Sequence, residues 1–313
     1  MTAALIFTKA ALVPLVFSFF LYGIITSLVR WTSRNLKIGK PIATIFVLVV
    51  IFVIIYEIVS ILMISTGELF ANMVRYETDI TILLKSLFEK LPFESYGFNI
   101  DGLIEQIHSM PYYSYARSIT GVAFKIVGNL FLIFTFLFFF LLGEKKSDLE
   151  NPLLKNILEK VTAYVSIKFF TSLLTGVLVG ILLFIFNVNM FLLFGFVTFI
   201  LNFIPNIGST VATILPLPIL LLQFGFGWQF FAALSLMILI HVCIGYVLDP
   251  KIMGESLDLH PVTILVFLVF WGLVWGIPGL FLAVPITSIL KITLSRLENT
   301  RTIAEILSGR LPR

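Results

Sequence analysis

The 313-residue sequence is far more apolar than that of a water-soluble protein. Hydrophobic residues make up 59% of it and charged residues 12%, where soluble domains have about 45–50% and about 25%. The formal net charge is only +4. The one cysteine, Cys243, excludes an intrachain disulfide and a cysteine-rich metal site. Composition therefore predicts an all-α polytopic membrane protein, because a helix satisfies its own backbone hydrogen bonds in lipid.

Five apolar runs are long enough to cross a bilayer, which takes about 20 residues of helix. They cover residues 4–29, 41–64, 119–142, 162–186 and 228–248. Two further regions, 190–224 and 261–290, are also apolar but are interrupted by proline and glycine. The first run is not followed by a clear cleavage site, so we expect it to stay as a membrane segment.

Loop charges predict how these segments are oriented, since cytoplasmic loops are rich in Lys and Arg. Basic residues dominate 30–40 and the tail from 291 onward, and the 143–160 loop carries four lysines; we place all three in the cytoplasm. Segment 65–118 has seven acidic and four basic residues, so we place it outside. An even number of crossings must then separate the 143–160 loop from the tail. Each interrupted region is therefore predicted to be a hairpin, 190–224 entering from the outer face and 261–290 from the inner face.

The chain is expected to form one membrane transport domain over 1–313. We divide it into spans at 1–64, an extracytoplasmic segment at 65–118, a span with its cytoplasmic loop at 119–160, two span-plus-hairpin units at 161–224 and 225–292, and a cytoplasmic tail at 293–313. Apolar residues between 69 and 88 recur at helical spacing. They predict an amphipathic helix that lies on the membrane surface or on neighbouring spans, with a subunit contact as the alternative.

The two interrupted regions resemble an inverted repeat. Each has an Ile-Pro pair near its centre, a glycine soon after it and a later proline: Ile204-Pro205, Gly208 and Pro216 in the first, Ile277-Pro278, Gly279 and Pro285 in the second. Hydrophobic segments interrupted by Pro or Gly at matching positions of two halves point to the substrate site of a transporter. The alternative is a pair of kinked helices whose prolines serve packing alone.

Irregular backbone at membrane depth is tolerated only inside protein or beside a water-filled cavity. Near the first break, Asn202, Asn206, Ser209 and Thr210 offer side-chain donors and acceptors for the freed backbone groups. Asn202 and Asn206 are four residues apart, so a helix would present them on one face, although Pro205 disturbs that geometry. We expect these two asparagines to contact the substrate.

Three long segments carry a family resemblance: "FILNFIPNIGSTVATILPLPI", "GYVLDPKIMGESLDLHPVTILVFL" and "GLVWGIPGLFLAVPITSILKI". They resemble the autoinducer-2 exporter family, also described as PerM-like permeases. The resemblance implies a multi-pass transporter of the bacterial inner membrane that forms homo-oligomers, with a pentamer expected. It also implies two hairpins that embrace the substrate and move in an elevator-like fashion, and either export of autoinducer-2 or Na⁺(Li⁺)/H⁺ antiport.

The candidate substrate-binding residues lie at the two breaks: Asn202, Pro205, Asn206, Gly208, Ser209, Thr210, Gly276, Pro278 and Gly279. Gly208 is expected to allow a turn that a side chain would block. The sequence departs from the family pattern at Ser209, where proline is expected after "IG", and at Ile244, where an acid is common. The second departure weakens the case for cation coupling at that position.

Three residues are candidates for ion or proton binding: Glu57, Asp249 and His260. Glu57 lies within a predicted span, where a carboxylate is costly unless it has a function, but it is also near the outer end of that span. Asp249 is either a gate before the second hairpin or half of a solvated ion pair in "Asp-Pro-Lys". His260 precedes a proline, as structural histidines often do. Lys168 is expected to extend its amine to the membrane surface.

Enzymatic and scaffold functions fit the sequence less well. No histidine pair has metal-ligand spacing, and neither a Gly-x-Ser-x-Gly motif nor a P-loop is present. A scaffold would gain nothing from irregular backbone in lipid. We therefore expect a secondary transporter that is not an enzyme and needs neither cofactor nor metal. Its partners are the lipid bilayer, its solute or ion and further copies of itself, not nucleic acid.

Overall fold

The computed structural model of the full chain describes residues 2–71, 78, 80–82, 85, 102, 104–105, 109, 112–143, 152–205, 207–253, 259–296 and 300–310. Most of the predicted amphipathic segment at 69–88 lies outside these ranges. So does Asn206, one of the two asparagines expected to contact substrate. All structural statements below concern the described residues.

The described chain is built from helices and contains no strand, which confirms the all-α prediction. The helices, numbered in chain order, are α1 (Thr2–Phe7), α2 (Lys9–Leu36), α3 (Lys40–Ala71), α4 (Tyr112–Gly143), α5 (Pro152–Ile185), α6 (Phe191–Leu201), α7 (Ile207–Ile214), α8 (Leu217–Phe224), α9 (Trp228–Val242), α10 (Asp249–Met253), α11 (Pro261–Trp275), α12 (Ile277–Leu294) and α13 (Arg301–Leu307). A π-helix, Cys243–Leu248, joins α9 to α10.

Six stretches of helix are long and apolar enough to cross a membrane within the described ranges: Lys9–Leu36, Lys40–Ile61, Lys155–Ile185, Ile207–Phe224, Trp228–Ile252 and Ile277–Leu294. Shorter apolar helices cover Gly128–Gly143, Phe191–Leu201 and Pro261–Trp275. The prediction of a multi-pass membrane protein is therefore confirmed. Several helices extend beyond the apolar runs: α2 continues to Leu36 and α5 begins at Pro152.

The described chain divides into two compact units. The first comprises Met1–Ile55, Ile126–Thr171 and Val247–Arg313, and the second comprises Tyr56–Lys125 and Ser172–Tyr246. In the first unit one core is centred on Phe20, Val161 and Leu282, and another on Val29 and Leu137. In the second unit, α5, α6, α8 and α9 supply the buried residues of a single core.

The first interrupted region forms a hairpin in the second unit. Helix α6 is the outgoing arm, residues 202–205 make the turn, and α7 and α8 form the return arm. Pro216 divides the return arm into two helices, since it cannot donate the backbone hydrogen bond that a continuous helix needs. Helix α6 also packs closely on α5, because Gly195 and Gly176 have no side chains to separate the two backbones.

The second interrupted region forms a hairpin in the first unit. Helix α11 ends at Gly276, which has φ 70° and ψ −143°, a conformation that is essentially restricted to glycine. Helix α12 then returns with Pro285 inside it, so this proline does not divide the arm as Pro216 does. The two prolines that look equivalent in the sequence therefore have different structural consequences. Pro285 is buried, and packing around the helix offsets the cost of its missing backbone donor.

Candidate functional site

The turn of the first hairpin holds a buried asparagine. Asn202 follows the last residue of α6, and its backbone N–H bonds to the carbonyl oxygen of Thr198 at 2.9 Å. Its side-chain Nδ2 donates to the hydroxyl oxygens of Ser172 at 3.2 Å and Thr175 at 3.4 Å. All three side chains are buried. Buried polar side chains need hydrogen-bond partners within the protein, because each buried polar group without a partner costs free energy.

Backbone hydrogen bonds within the turn satisfy several of its N–H and carbonyl groups. The N–H of Ile204 donates to the carbonyl oxygen of Leu201 at 2.9 Å, and the N–H of Gly208 to that of Ile204 at 3.1 Å. The N–H of Ile207 donates to the carbonyl oxygen of Pro205 at 2.7 Å. The carboxamide of Asn202 lies beside this irregular backbone, so its two-bond anchoring to α5 fixes both the side chain and the start of the turn.

Gly208 lies where a side chain would block the hairpin turn, as predicted, and the reason is close packing of the backbone. It lies inside α7 and lacks the positive φ of a special turn, but a Cβ atom at this position would overlap the carbonyl oxygen of Leu201. Glycine is needed because α7 approaches the end of α6 too closely for any side chain. The neighbouring candidates face outward from this contact: Ser209 is half-buried and Thr210 is exposed.

The second hairpin repeats this close approach. A Cβ atom on Gly279 would overlap the carbonyl oxygen of Trp271, so the return arm again packs directly on the outgoing backbone. Pro278 lies in the first turn of α12, where its missing N–H costs nothing. The indole of Trp275 donates from Nε1 to the carbonyl oxygen of Leu5 at 3.1 Å, which ties the tip of this hairpin to α1.

The structure corrects the prediction that Lys168 reaches the membrane surface, and it contradicts the solvated ion pair considered for Asp249. The Nζ atom of Lys168 lies 2.6 Å from Oδ2 of Asp249, and both side chains are more than nine-tenths buried. Lys168 therefore does not extend to the membrane surface. Asp249 pairs with this lysine 81 positions earlier, not with exposed Lys251 in the "Asp-Pro-Lys" sequence. Helix spacing could not reveal the pair, because only tertiary packing brings α5 and α10 together.

Asp249 has a buried tyrosine near its carboxylate and a π-helix directly before it in the chain. Tyr164, one helical turn before Lys168 on α5, is buried and interacts electrostatically with the carboxylate. The π-helix ends at the residue before Asp249, and Pro250 follows it. A π-turn is a wider helical turn that often occurs at functional sites. Here it comes just before a proline whose ring would crowd a regular α-helical turn.

The other two candidates for ion or proton binding, Glu57 and His260, are not part of a buried ion pair among the described residues. Glu57 is exposed on α3. His260 is the residue before α11, where its Nδ1 accepts a hydrogen bond from the N–H of Val262 at 3.3 Å. Its backbone N–H donates to the carbonyl oxygen of Leu307 in α13 at 3.0 Å. Leu307 also accepts a hydrogen bond from the hydroxyl of Thr263 at 3.0 Å, so the start of the second hairpin is tied to the tail.

The long apolar helices of the described ranges define a multi-pass membrane protein. The profile of the family described as "AI-2E family transporter" matches residues 1–299, and the chain belongs to this family.

Relatives with transport names match nearly the whole chain. It is similar to "AI-2 transport protein TqsA" of Escherichia coli (strain K12), with 26% identity over 96% of this chain and 90% of that protein. "Putative transport protein YhhT" of the same strain is also 26% identical, over 96% of this chain and 89% of that protein. A "Putative transport protein" of Haemophilus influenzae is 40% identical over 50% of this chain and 45% of its own length.

Proposed function

We propose that the protein is a secondary transporter that exports a small polar solute such as autoinducer-2. The observation that carries this proposal is the buried Asn202 at the break of the first hairpin, hydrogen-bonded to Ser172 and Thr175. A carboxamide both donates and accepts hydrogen bonds, which suits a hydroxylated solute. The relative named for AI-2 transport supports this substrate class.

The transport cycle that we propose is elevator-like, with the two hairpins as the elements that hold the solute. The close backbone contacts at Gly208 and Gly279 support it, because each makes its hairpin tip compact. A compact hairpin tip can move as one rigid element in the proposed cycle. The opposed entry of the hairpins stays part of this proposal, together with the candidate substrate contacts at Asn206, Ser209, Thr210 and Gly276.

The proposed setting is the bacterial inner membrane, with the carboxyl terminus in the cytoplasm and several copies, expected to be five, in one assembly. The basic tail supports this orientation. Exposed apolar side chains along α3, among them Phe46, Val49, Phe52 and Val53, supply surface for lipid or for another copy. A reporter that is active only in the cytoplasm, fused after Arg313, tests the orientation, and cross-linking in the membrane tests the assembly.

Na⁺(Li⁺)/H⁺ antiport is the second candidate function. The buried pair of Lys168 and Asp249 favours it, since charges inside an apolar protein are costly and often belong to ion pathways. This function is not exclusive of solute export, because a cation gradient is one means of driving a secondary transporter.

Flux into proteoliposomes tests the proposal. Purified protein should move labelled autoinducer-2 across the membrane, and Asn202→Ala should reduce the flux at least tenfold while leaving the elution profile of the protein unchanged. Asn189→Ala is a matched control, because Asn189 is exposed and its backbone N–H, not its side chain, makes its hydrogen bond to Gln223. Equal flux in wild-type and empty vesicles, under gradients of either sign, would remove export of this solute from consideration.

A further inference from the structure

His241 is a buried histidine with one ring nitrogen that lacks a hydrogen-bond partner. It lies in the last turn of α9 and is more than nine-tenths buried. Its Nδ1 atom lies 2.8 Å from the carbonyl oxygen of Met237. Its Nε2 atom is buried and forms no hydrogen bond with any residue that the structure describes. A buried polar atom without a partner is costly and calls for an explanation.

The hydrogen bond to Met237 determines what the other ring nitrogen can bind. A carbonyl oxygen only accepts hydrogen bonds, so Nδ1 of His241 carries the hydrogen. A second proton, on Nε2, would make the ring a cation, which is costly in an apolar interior. Nε2 of the neutral ring is therefore a lone-pair acceptor, and the bond at Nδ1 holds it in one orientation. A group that donates a hydrogen bond, such as a hydroxyl, is the partner that this nitrogen requires.

The buried face of α9 packs on the first hairpin. This face consists of Phe230, Ala233, Met237 and His241, whose spacings of three and four residues place them on one side of the helix. The three apolar members belong to the core of the second unit, to which α5, α6 and α8 also contribute. Helix α9 also contacts α7, the return arm that follows the break of the hairpin. His241 therefore extends the face that α9 presents to the hairpin.

Along the helix axis, His241 lies closer to the tip of the first hairpin than to its base. Helices α8 and α9 contact each other and are joined only by residues 225–227, so they run antiparallel. His241 is about 20 Å along α9 from Trp228, because a helix rises about 1.5 Å per residue. An equal length of the return arm, measured back from Phe224, reaches Val211 in α7. The acceptor atom is therefore level with the part of the return arm that follows the break, within the same compact unit.

We propose that His241 is a specificity-determining residue for the solute, whose hydroxyl group donates a hydrogen bond to Nε2 of the imidazole. This assignment rests on the proposed export of a hydroxylated solute. The imidazole lone pair can only accept, whereas the carboxamide of Asn202 both donates and accepts, so the two residues select for different groups. A solute that lacks the donor leaves Nε2 buried and unpaired, and it is rejected because that cost is not offset.

The assignment is tested by calorimetric binding to the full-length protein in detergent, without any transport. The probes are autoinducer-2 and a set of analogues in which one hydroxyl at a time is replaced by hydrogen. We expect the wild type to bind autoinducer-2, and to bind one of the analogues at least tenfold more weakly, because that analogue lacks the hydroxyl held by Nε2. The ratio of the two affinities is the readout, since a purely structural histidine would change both equally.

Two substitutions at this position and one control separate the acceptor from the bulk of the ring. His241→Gln places an amide oxygen about as far from the backbone as Nε2, and should keep part of the preference for autoinducer-2. His241→Asn reaches only about as far as Nδ1, and should bind autoinducer-2 no better than the discriminated analogue. Thr213→Val is the control on neighbouring α7: the hydroxyl of Thr213 bonds within its own helix, to the carbonyl oxygen of Ser209 at 2.9 Å. This variant should keep the wild-type preference.

Three results would overturn the inference: no binding of autoinducer-2 to the wild type, equal affinity of the wild type for all analogues, or the full wild-type preference in His241→Asn. Flux of autoinducer-2 into proteoliposomes is measured separately on the same preparations. Flux together with a preference that survives in His241→Asn would contradict the role of His241 alone. A preference that depends on His241, in a protein that shows no flux, would contradict the proposed export alone.

Discussion

Gly208 in α7 packs against the carbonyl oxygen of Leu201 at the end of α6, in a space that no side chain fits. The contact joins the two arms of the first hairpin directly at its tip. The second hairpin has the same relationship between Gly279 and Trp271. Close backbone packing is therefore common to both tips, so even an added methyl group should disturb them.

Gly208→Ala should destabilise the protein by about 1–3 kcal/mol, because the added methyl group forces apart two packed backbones. Reduced autoinducer-2 flux should accompany the lower unfolding midpoint in detergent. Gly128→Ala is the control: this glycine also lies inside a helix but has open space around it, so alanine should stabilise it slightly through helix propensity. If both variants unfold at the wild-type temperature, the close approach at Gly208 is incorrect.

Trp275→Phe should loosen α1 from the second hairpin. The substitution keeps an aromatic ring but removes the donor to the carbonyl oxygen of Leu5, a loss of about 0.5–1.5 kcal/mol. We expect faster amide hydrogen exchange in Thr2–Phe7. The control is Trp271→Phe, whose Nε1 is buried without a partner among the described residues. That change removes no hydrogen bond and should leave the exchange of α1 unaltered; equal effects of the two would argue against the bond to Leu5.

Thr263→Val should weaken the attachment of the tail helix α13 to the start of α11. Valine keeps the shape of threonine but cannot donate to the carbonyl oxygen of Leu307. Amide exchange in Arg301–Leu307 should accelerate several-fold. Thr293→Val serves for comparison, since the hydroxyl of Thr293 bonds within its own helix, to the carbonyl oxygen of Ile289. An unchanged exchange rate in Thr263→Val would contradict a stabilising role for this hydrogen bond.

Lys168→Ala should lower the free energy of unfolding by about 3–5 kcal/mol, because it leaves the buried Asp249 carboxylate without its counter-charge. Lys155→Ala breaks an ion pair with Glu159 that is 3.9 Å long and exposed, and should cost only about 0–1 kcal/mol. Thermal unfolding in detergent compares the two variants directly. Similar midpoints would mean that the Lys168–Asp249 pair is not buried in the folded protein.

The membrane class and the positions of the hairpins followed from the sequence because they depend on local properties. Long apolar runs predict helices, and proline and glycine interrupt them at 202–205 and at Gly276, where the structure does place turns. The same reasoning treated Pro216 and Pro285 as equivalent, yet only Pro216 divides its arm. Whether a helix continues through proline depends on the packing around it, which local pattern does not contain.

Predictions about individual polar residues depended on distant partners and were less successful. Lys168 was expected to reach the membrane surface, and Asp249 to form a gate or to pair with nearby Lys251, so the pair that these two residues form was not predicted. The substrate contact expected for Asn202 stays a prediction. Its hydrogen-bond partners, Ser172 and Thr175, lie on a helix about 30 residues earlier, and no sequence pattern marked them.

The sequence by itself determined that this is a helical, multi-pass membrane protein of the AI-2E transporter family with two interrupted hairpins. These features arise from hydrophobicity, from backbone chemistry of proline and glycine, and from motifs that are contiguous in the chain. Only the tertiary structure decided that Gly208 and Gly279 serve close packing and that Lys168 neutralises Asp249. The physical reason is that burial and ion pairing depend on three-dimensional contacts. A charged group pairs with whichever group the fold brings within hydrogen-bonding distance, however far away that group lies in the chain.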